Sequence, residues 1–283
     1  MLERFLQRKS SPRHGLWPLI GFRTMIRRSR CWVATTVLPS VLALAPLPVL
    51  GAELKIASSP ALTAYLRDLG SAFEQSSGHK LAASFASPTR MRDLLGKDRF
   101  DVVISTVQLI EELEKTGIVK AGIRTDLAKV GVGVSFRRGA GKPDVSTVEA
   151  LKSTLLAAKS IAHGNPTGGG VAAVYVVKLF DQLGIVDAMK PKIKLMNAHA
   201  SAEAIGRGEI ELGLTQIGEI VAYPTIELAG PLPAELQNYT SLAAGLLNNS
   251  THAGAVAFLR YLGSSTAADA LKAHGLEPFP ASR

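Results

Sequence analysis

From residue 54 onward the apolar positions switch repeatedly between a two-residue and a helical period. Leu54-Lys55-Ile56-Ala57 reads as a short strand ending at Ser58-Ser59-Pro60, and from Ala61 apolar residues recur at helical spacing (Leu62, Tyr65, Leu66, Leu69, Phe73) up to Gly78. Lys80 to Ala86 predicts a second strand. Ser87-Pro88-Thr89 then opens a helix with Met91, Leu94 and Leu95 on one face. Phe100 to Ile104 is a buried strand by its β-branched run, followed by a helix over Gln108–Thr116 and by Gly117. Strand–helix units in this succession predict mainly parallel, twisted pairing with helices on both faces of the sheet.

A glycine-rich apolar strand, Val130 to Ser135, and the flexible stretch Arg137 to Pro143 predict a crossing into a second lobe. The pattern then repeats: helix Thr147–Lys159, strand Ser160–His163, a glycine-rich turn, helix Gly170–Gly184, strand Lys192–Met196, helix Ala200–Arg207, strand Glu211–Thr215 and a short helix Ile217–Ala222. Ile226 to Ala244, with Pro231 and Pro233, returns the chain to the first lobe, which helices Ala253–Leu262 and Thr266–His274 close. The expected organisation is a leader over 1–52, a first lobe over 53–134, a second over 135–228 and a return over 229–283.

Charge sharpens the role of the leader. The 283 residues carry 32 Lys plus Arg and 23 Asp plus Glu, a formal +9 that by itself suggests nucleic acid or anionic membrane. Eight of those basic residues and only one acid, Glu3, lie within residues 1–52, so the remainder is nearly neutral and no nucleic-acid partner is expected. Arg27-Arg28-Ser29-Arg30, the apolar run Cys31 to Leu50 and the small residues Gly51-Ala52 form the three regions of an export signal. Pro39, Pro46 and Pro48 argue against a spanning helix, and the 24 residues ahead of Met25 are long for the basic region of such a signal, which leaves Met1 and Met25 as alternative starts. The single cysteine, Cys31, and both Trp lie in this leader, so the exported chain has no thiol ligand or disulfide.

Ligands of open α/β sheets bind beyond the carboxyl ends of the strands. The turns there are Ser58-Ser59-Pro60, Ser84 to Thr89, Ser105-Thr106, Gly164 to Gly170, Asn197-Ala198-His199-Ala200 and Thr215-Gln216. Several deliver hydroxyls and free N–H groups to a helix start, which favours an anion, and Gly168-Gly169-Gly170 permits close backbone approach. His199 and Arg90 are further candidates at these turns. The sequence contains no Gly-x-Ser-x-Gly elbow and no phosphate-loop Gly-Lys-Ser/Thr ending, and its histidines lack metal-ligand spacing. An enzyme on this framework would use Ser58 or Ser87 with a base beside it, and the sequence places none there. The expectation is a binding protein and not an enzyme, with no cofactor and no metal site.

The order of the pieces resembles the molybdate-type periplasmic solute-binding proteins of ABC transporters. The resemblance is carried by Ala82 to Ser87, Phe100 to Ser105, Gly117-Ile118-Val119, Gly164-Asn165-Pro166 and the ending Ala267 to Pro278, in unbroken order. It implies the two-lobed periplasmic-binding-protein fold, an α/β architecture in which mixed, mainly parallel sheets flank a ligand cleft. It also implies a periplasmic monomer that captures a small anion by lobe closure and delivers it to a membrane permease. The family's first oxyanion-binding serine falls on Ala61 and its second on Pro88, while Gln216 replaces the late tyrosine; Gln216-Ile217-Gly218-Glu219-Ile220 marks a divergent branch. The site implied is Ser58, Ser59, Ala61, Ser87, Thr89, Thr167, Gly168, Gly169, Ala198 and Gln216. The expected ligand is a small oxyanion, molybdate or tungstate first. A small organic anion, and a sensory protein on the same fold, are the alternatives.

Overall fold

The computed structural model describes residues 53–168 and 170–280, all within one compact unit that runs from Val49 to Arg283. The leader proposed over 1–52 and the candidate Gly169 lie outside the described residues.

The chain opens with β1 (Leu54–Ser58), a short 3-10 turn (Pro60–Leu62), α1 (Thr63–Ser77), β2 (Leu81–Phe85), α2 (Pro88–Lys97), β3 (Val102–Thr106), α3 (Val107–Lys115) and the long β4 (Val119–Val130). It continues with β5 (Val132–Arg137), α4 (Val148–Ala157), β6 (Ile161–His163), α5 (Val171–Gln182), α6 (Val186–Met189), β7 (Ile193–Leu195), α7 (Ala198–Gly206), β8 (Leu212–Gln216), the single turn α8 (Ile217–Ile220) and β9 (Ile226–Pro231). Last come β10 (Thr240–Leu247), α9 (Gly254–Leu262), α10 (Ser265–Ala273) and β11 (Glu277–Pro278).

Two mixed sheets result, ordered β11-β4-β10-β3-β1-β2 and β7-β6-β8-β5-β9. Parallel pairing is confined to β2-β1-β3 in the first and β7-β6-β8 in the second. The two-residue period sorts side chains between the faces. Leu54, Ile56, Val102 and Ile104 enter one core with Tyr65, Phe73 and Phe258, while Ala57 and Val103 enter another with Met91, Ile110 and Leu113. The second sheet is covered in the same way, by Leu151, Leu155, Val176 and Leu179 on one face and Ala202 and Ile205 on the other.

Sheet membership shows where the chain passes between the two sheets. β5 pairs with β8 and β9, so the chain changes sheets at Gly131, and it leaves the second sheet after β9, at Pro231. A glycine-rich apolar strand looks continuous in sequence, whereas the chain changes sheets within it. Gln237 ties the two crossings together: its Oε1 accepts from the Val132 N–H at 2.8 Å and its Nε2 donates to the Val132 carbonyl at 3.0 Å.

The turn α8 belongs to both lobes. Ile217 is in the core of the first lobe, and Ile220 is in the cluster beneath the second sheet. Its Gly218 lies against the carbonyl of Ala61 in the 3-10 turn. Four residues cannot hold a helix by their own hydrogen bonds. Burial of the two isoleucines, each worth about 1.5–3 kcal/mol, supplies the stability that the turn lacks.

Candidate functional site

The carboxyl ends of the six parallel strands converge on one cleft of about 560 Å³ between the lobes. Ser59, Phe85 and Thr106 reach it from the first sheet, and His163, Met196 and Gln216 from the second. Helix starts supply most of its donors. The α5 start is capped by Gly170 without a side-chain bond, so the N–H groups of its first turn, at Val171, Ala172 and Ala173, stand at the cleft wall. At α7 the Asn197 Oδ1 accepts from the Ala200 N–H at 2.9 Å and leaves Ala198 and His199 along the wall.

Of the candidate residues, Ser59, Ser87, Gly168, Ala198 and Gln216 line the cleft. Ser58 does not, because its fully buried hydroxyl turns to the Ser59 carbonyl at 3.3 Å. Ala61 is 1% exposed and directs its carbonyl at α8. Thr167 is bound within its own turn, where its hydroxyl donates to Asn165 Oδ1 at 2.8 Å. Ser87 and Thr89 do not present free hydroxyls: both donate to the carbonyl of Gly168 on the opposite lobe, at 3.1 and 3.0 Å. They close one edge of the cleft as an interlobe latch.

Arg90 and Glu219 are the arginine, lysine, aspartate or glutamate side chains that line the cleft among the described residues. Arg90 stands on α2 with no carboxylate partner, unlike Arg92, which pairs with Glu112 at 2.6 Å. Glu219 lies at the floor on α8 and accepts the hydroxyl of Thr215. Burial pushes its carboxyl above the usual carboxylate range, and the Thr215 hydrogen bond pulls it part of the way back. Beside it, burial and then the Glu219 charge raise the Tyr223 phenol, whose ring is 5.7 Å from that of His199. Gln216 is held by its Nε2, which donates to Thr240 Oγ1 at 3.0 Å.

His163, also on the cleft wall, is packed tightly into it. It is 3% exposed, its Nδ1 is 2.8 Å from the Gly164 carbonyl and its ring lies edge-on to Phe180, 5.9 Å away. Burial lowers its pKa, the Gly164 hydrogen bond opposes that in part, and its buried Nε2 has no partner. The charged residue that sequence reasoning passed over is Glu219. It was visible only as part of Gln216-Ile217-Gly218-Glu219-Ile220, with nothing local to signal that α8 is buried between the lobes. No group of three or more metal-ligating side chains is present among the described residues, and no helix there is long and apolar enough to cross a membrane.

A cleft between two α/β lobes, floored by strand ends and lined by open helix starts, defines a small-solute receptor. The chain belongs to the bacterial extracellular solute-binding proteins, whose family model matches residues 54–277. A molybdate-binding protein of Azotobacter vinelandii is 29% identical over 79% of this chain and 89% of its own length. The solved periplasmic molybdate-binding protein of the same organism superposes with a TM-score of 0.66 at 19% identity, over 81% of this chain and all of that one. The chain is thus a divergent relative of the molybdate-type binding proteins. The expectation that it is not an enzyme is corrected by a third comparison: an aconitate isomerase of a Pseudomonas species is 31% identical over 87% of this chain and 97% of its own. The absence of a serine nucleophile with its base had argued against only one kind of catalysis.

Proposed function

We propose that this protein is an extracytoplasmic isomerase of unsaturated tricarboxylates, of the aconitate type, built on a solute-binding fold. The observation that carries this reading is the latch. Ser87 and Thr89, the hydroxyls that would substitute for the missing oxyanion serines, are both committed to the Gly168 carbonyl. Ser58 is committed as well, Ala61 and Pro88 offer no hydroxyl, and Ser59 alone of the candidate serines keeps an uncommitted hydroxyl on the cleft wall. A small dianion stripped of water without that cage would lose several kcal/mol. What remains is a cleft of about 560 Å³ whose anion-binding groups sit on separate elements: the α5 start, the α7 start and Arg90 on α2. Such an arrangement suits carboxylates held apart on a carbon skeleton. The aconitate isomerase relative is 97% covered by the match, which supports the same substrate class.

Aconitate is propene-1,2,3-tricarboxylate. Moving one proton between the two ends of its three-carbon unit regenerates the same skeleton with the double bond on the other side. A Z isomer becomes an E isomer without rotation about a double bond. Closed lobes serve that chemistry by excluding water from the carbanion. Proton NMR of the purified protein with trans-aconitate, run beside calorimetry with molybdate, tungstate and sulfate, tests the reading. Appearance of the cis vinyl resonance is expected, with no heat from the inorganic anions. Tight molybdate or tungstate binding without turnover would overturn it. The family match favours one second reading, capture of the same tricarboxylate for a membrane permease, in which the ligand is released unchanged.

A further inference from the structure

Glu219 has no role in holding an anion, and its position needs one. It is the single carboxyl among the described residues on the cleft wall, it lies at the floor where the lobes meet, and three features fix it there. Ile217 and Ile220 anchor its turn in the cores of both lobes, Gly218 seats that turn against Ala61, and the Thr215 hydroxyl donates to its carboxyl. A carboxylate set against an anion costs affinity, so a cleft built only to bind would place a donor at this point.

We propose that Glu219 is the base that carries the proton in the isomerisation, an assignment that rests on the tricarboxylate reading above. Its carboxylate oxygen takes a hydrogen from the methylene carbon of aconitate. That C–H bond breaks, an O–H bond forms, and the electron pair spreads over the three-carbon unit and the attached carboxylates. The carboxylic acid then returns the hydrogen to the far terminal carbon. The new C–H bond forms there, the double bond shifts to the vacated side, and Glu219 is a carboxylate again. No oxidant, metal or second reactant enters the balance. Burial raises the basicity of the ionised group, which suits removal of a proton from carbon, and Thr215 holds the oxygen in place.

The other titratable groups around the cleft fit this role less well. Tyr223 neighbours Glu219 and His199 neighbours Tyr223, but His199 is 3.4 Å from Glu203 and well exposed, and Tyr223 is a phenol pushed upward. Arg90 stands on the first lobe as the counter-charge for a substrate carboxylate. His163 is on the cleft wall, but its Nε2 is buried and its ring packs edge-on against Phe180.

The test follows deuterium entering aconitate from heavy water by NMR, for the wild type, Glu219→Gln and Glu219→Asp, with trans-aconitate binding measured by calorimetry and folding by thermal melting. Glu219→Gln is expected to lower both exchange and isomerisation by about a hundred- to ten-thousandfold while binding aconitate within a few-fold of wild type, the usual range for a positioned base. Glu219→Asp should keep measurable exchange. Glu219→Gln turning over within tenfold of wild type overturns the assignment and leaves the isomerase reading standing. A wild type that neither exchanges nor isomerises aconitate overturns both.

Discussion

Gly218→Ala tests whether α8 is held where the site requires it. A Cβ on residue 218 would fall deep inside contact distance of the Ala61 carbonyl oxygen and 3.1 Å from its carbon. Both obstructing atoms are backbone, in a 3-10 turn whose Ala61 and Leu62 are almost completely buried, so no side chain can swing aside. Overpacking of this kind costs about 1–3 kcal/mol, and a backbone obstacle puts the cost near the upper end. For a domain of this size about 3 kcal/mol corresponds to a fall of about 6–12 °C in melting temperature. The cost also bears on activity. If the lobe relaxes by moving α8 away from the Pro60–Leu62 turn, Glu219 moves with it, and turnover should fall more than tricarboxylate binding does.

The control is Gly96→Ala on the exposed side of α2, where a Cβ would meet nothing within 4 Å and the backbone angle is ordinary. That change should stabilise by about 0.5–1 kcal/mol, because alanine has the better helix propensity and loses less chain entropy. Calorimetric melting of the two variants beside wild type reads both signs at once. Gly218→Ala melting within a degree of wild type would refute the close approach, and with it the argument that α8 positions Glu219.

Three further outcomes follow from the same geometry. Because folding raises the Glu219 pKa, the folded chain holds that proton more tightly than the unfolded chain; the stabilisation is complete below about 4.5 and is lost as pH rises through the folded value, so Glu219→Gln should gain stability relative to wild type toward neutral pH, as melting scans against pH would show. Burial lowers the folded pKa of His163, so the unfolded chain takes up the extra proton and stability falls as pH drops below about 6.5; His163→Leu should flatten that part of the profile in the same scans. Removing the latch with Ser87→Ala and Thr89→Val should cost about 1 kcal/mol of closure, read by calorimetry as roughly fivefold weaker tricarboxylate binding and by X-ray scattering as a larger radius in the unliganded protein.

What the sequence disclosed and what it hid divide along the distance between partners. The helix through Leu62, Tyr65, Leu66, Leu69 and Phe73 and the strands at Leu54, Phe100 and Glu211 are legible because their periods are local. β4 was missed although Lys120, Gly122, Arg124 and Asp126 alternate with Val119, Ala121, Ile123 and Leu127; much of the strand is exposed, so its apolar face is weak, and its partner β10 lies more than a hundred residues away. The cleft turns were found from the rule about strand ends, but their chemistry was not. Ser87 and Thr89 look like free donors until Gly168, 81 and 79 residues on, is seen to take both hydroxyls. The carboxyl of Glu219 acquires its character only from the burial of α8 between two cores, a property of the assembled lobes.

That last point bears on how a binding fold comes to catalyse. A receptor cleft already provides what is hardest to assemble: closure over an anion, exclusion of water, and backbone dipoles that cost no reorganisation when charge develops. A carbon-acid isomerase needs one thing more, a base held rigidly near a carbon atom. In this chain the site in which the latch takes the Ser87 and Thr89 hydroxyls also contains the carboxyl, and the same short turn that joins the lobes holds it. Ligand-driven closure and placement of the base are therefore one mechanical event, because α8 has an isoleucine in each core. A variant that frees α8 from either core should uncouple them, binding the tricarboxylate while failing to move its proton. Ile220→Ala, which leaves the first-lobe anchor intact, separates the two functions most cleanly.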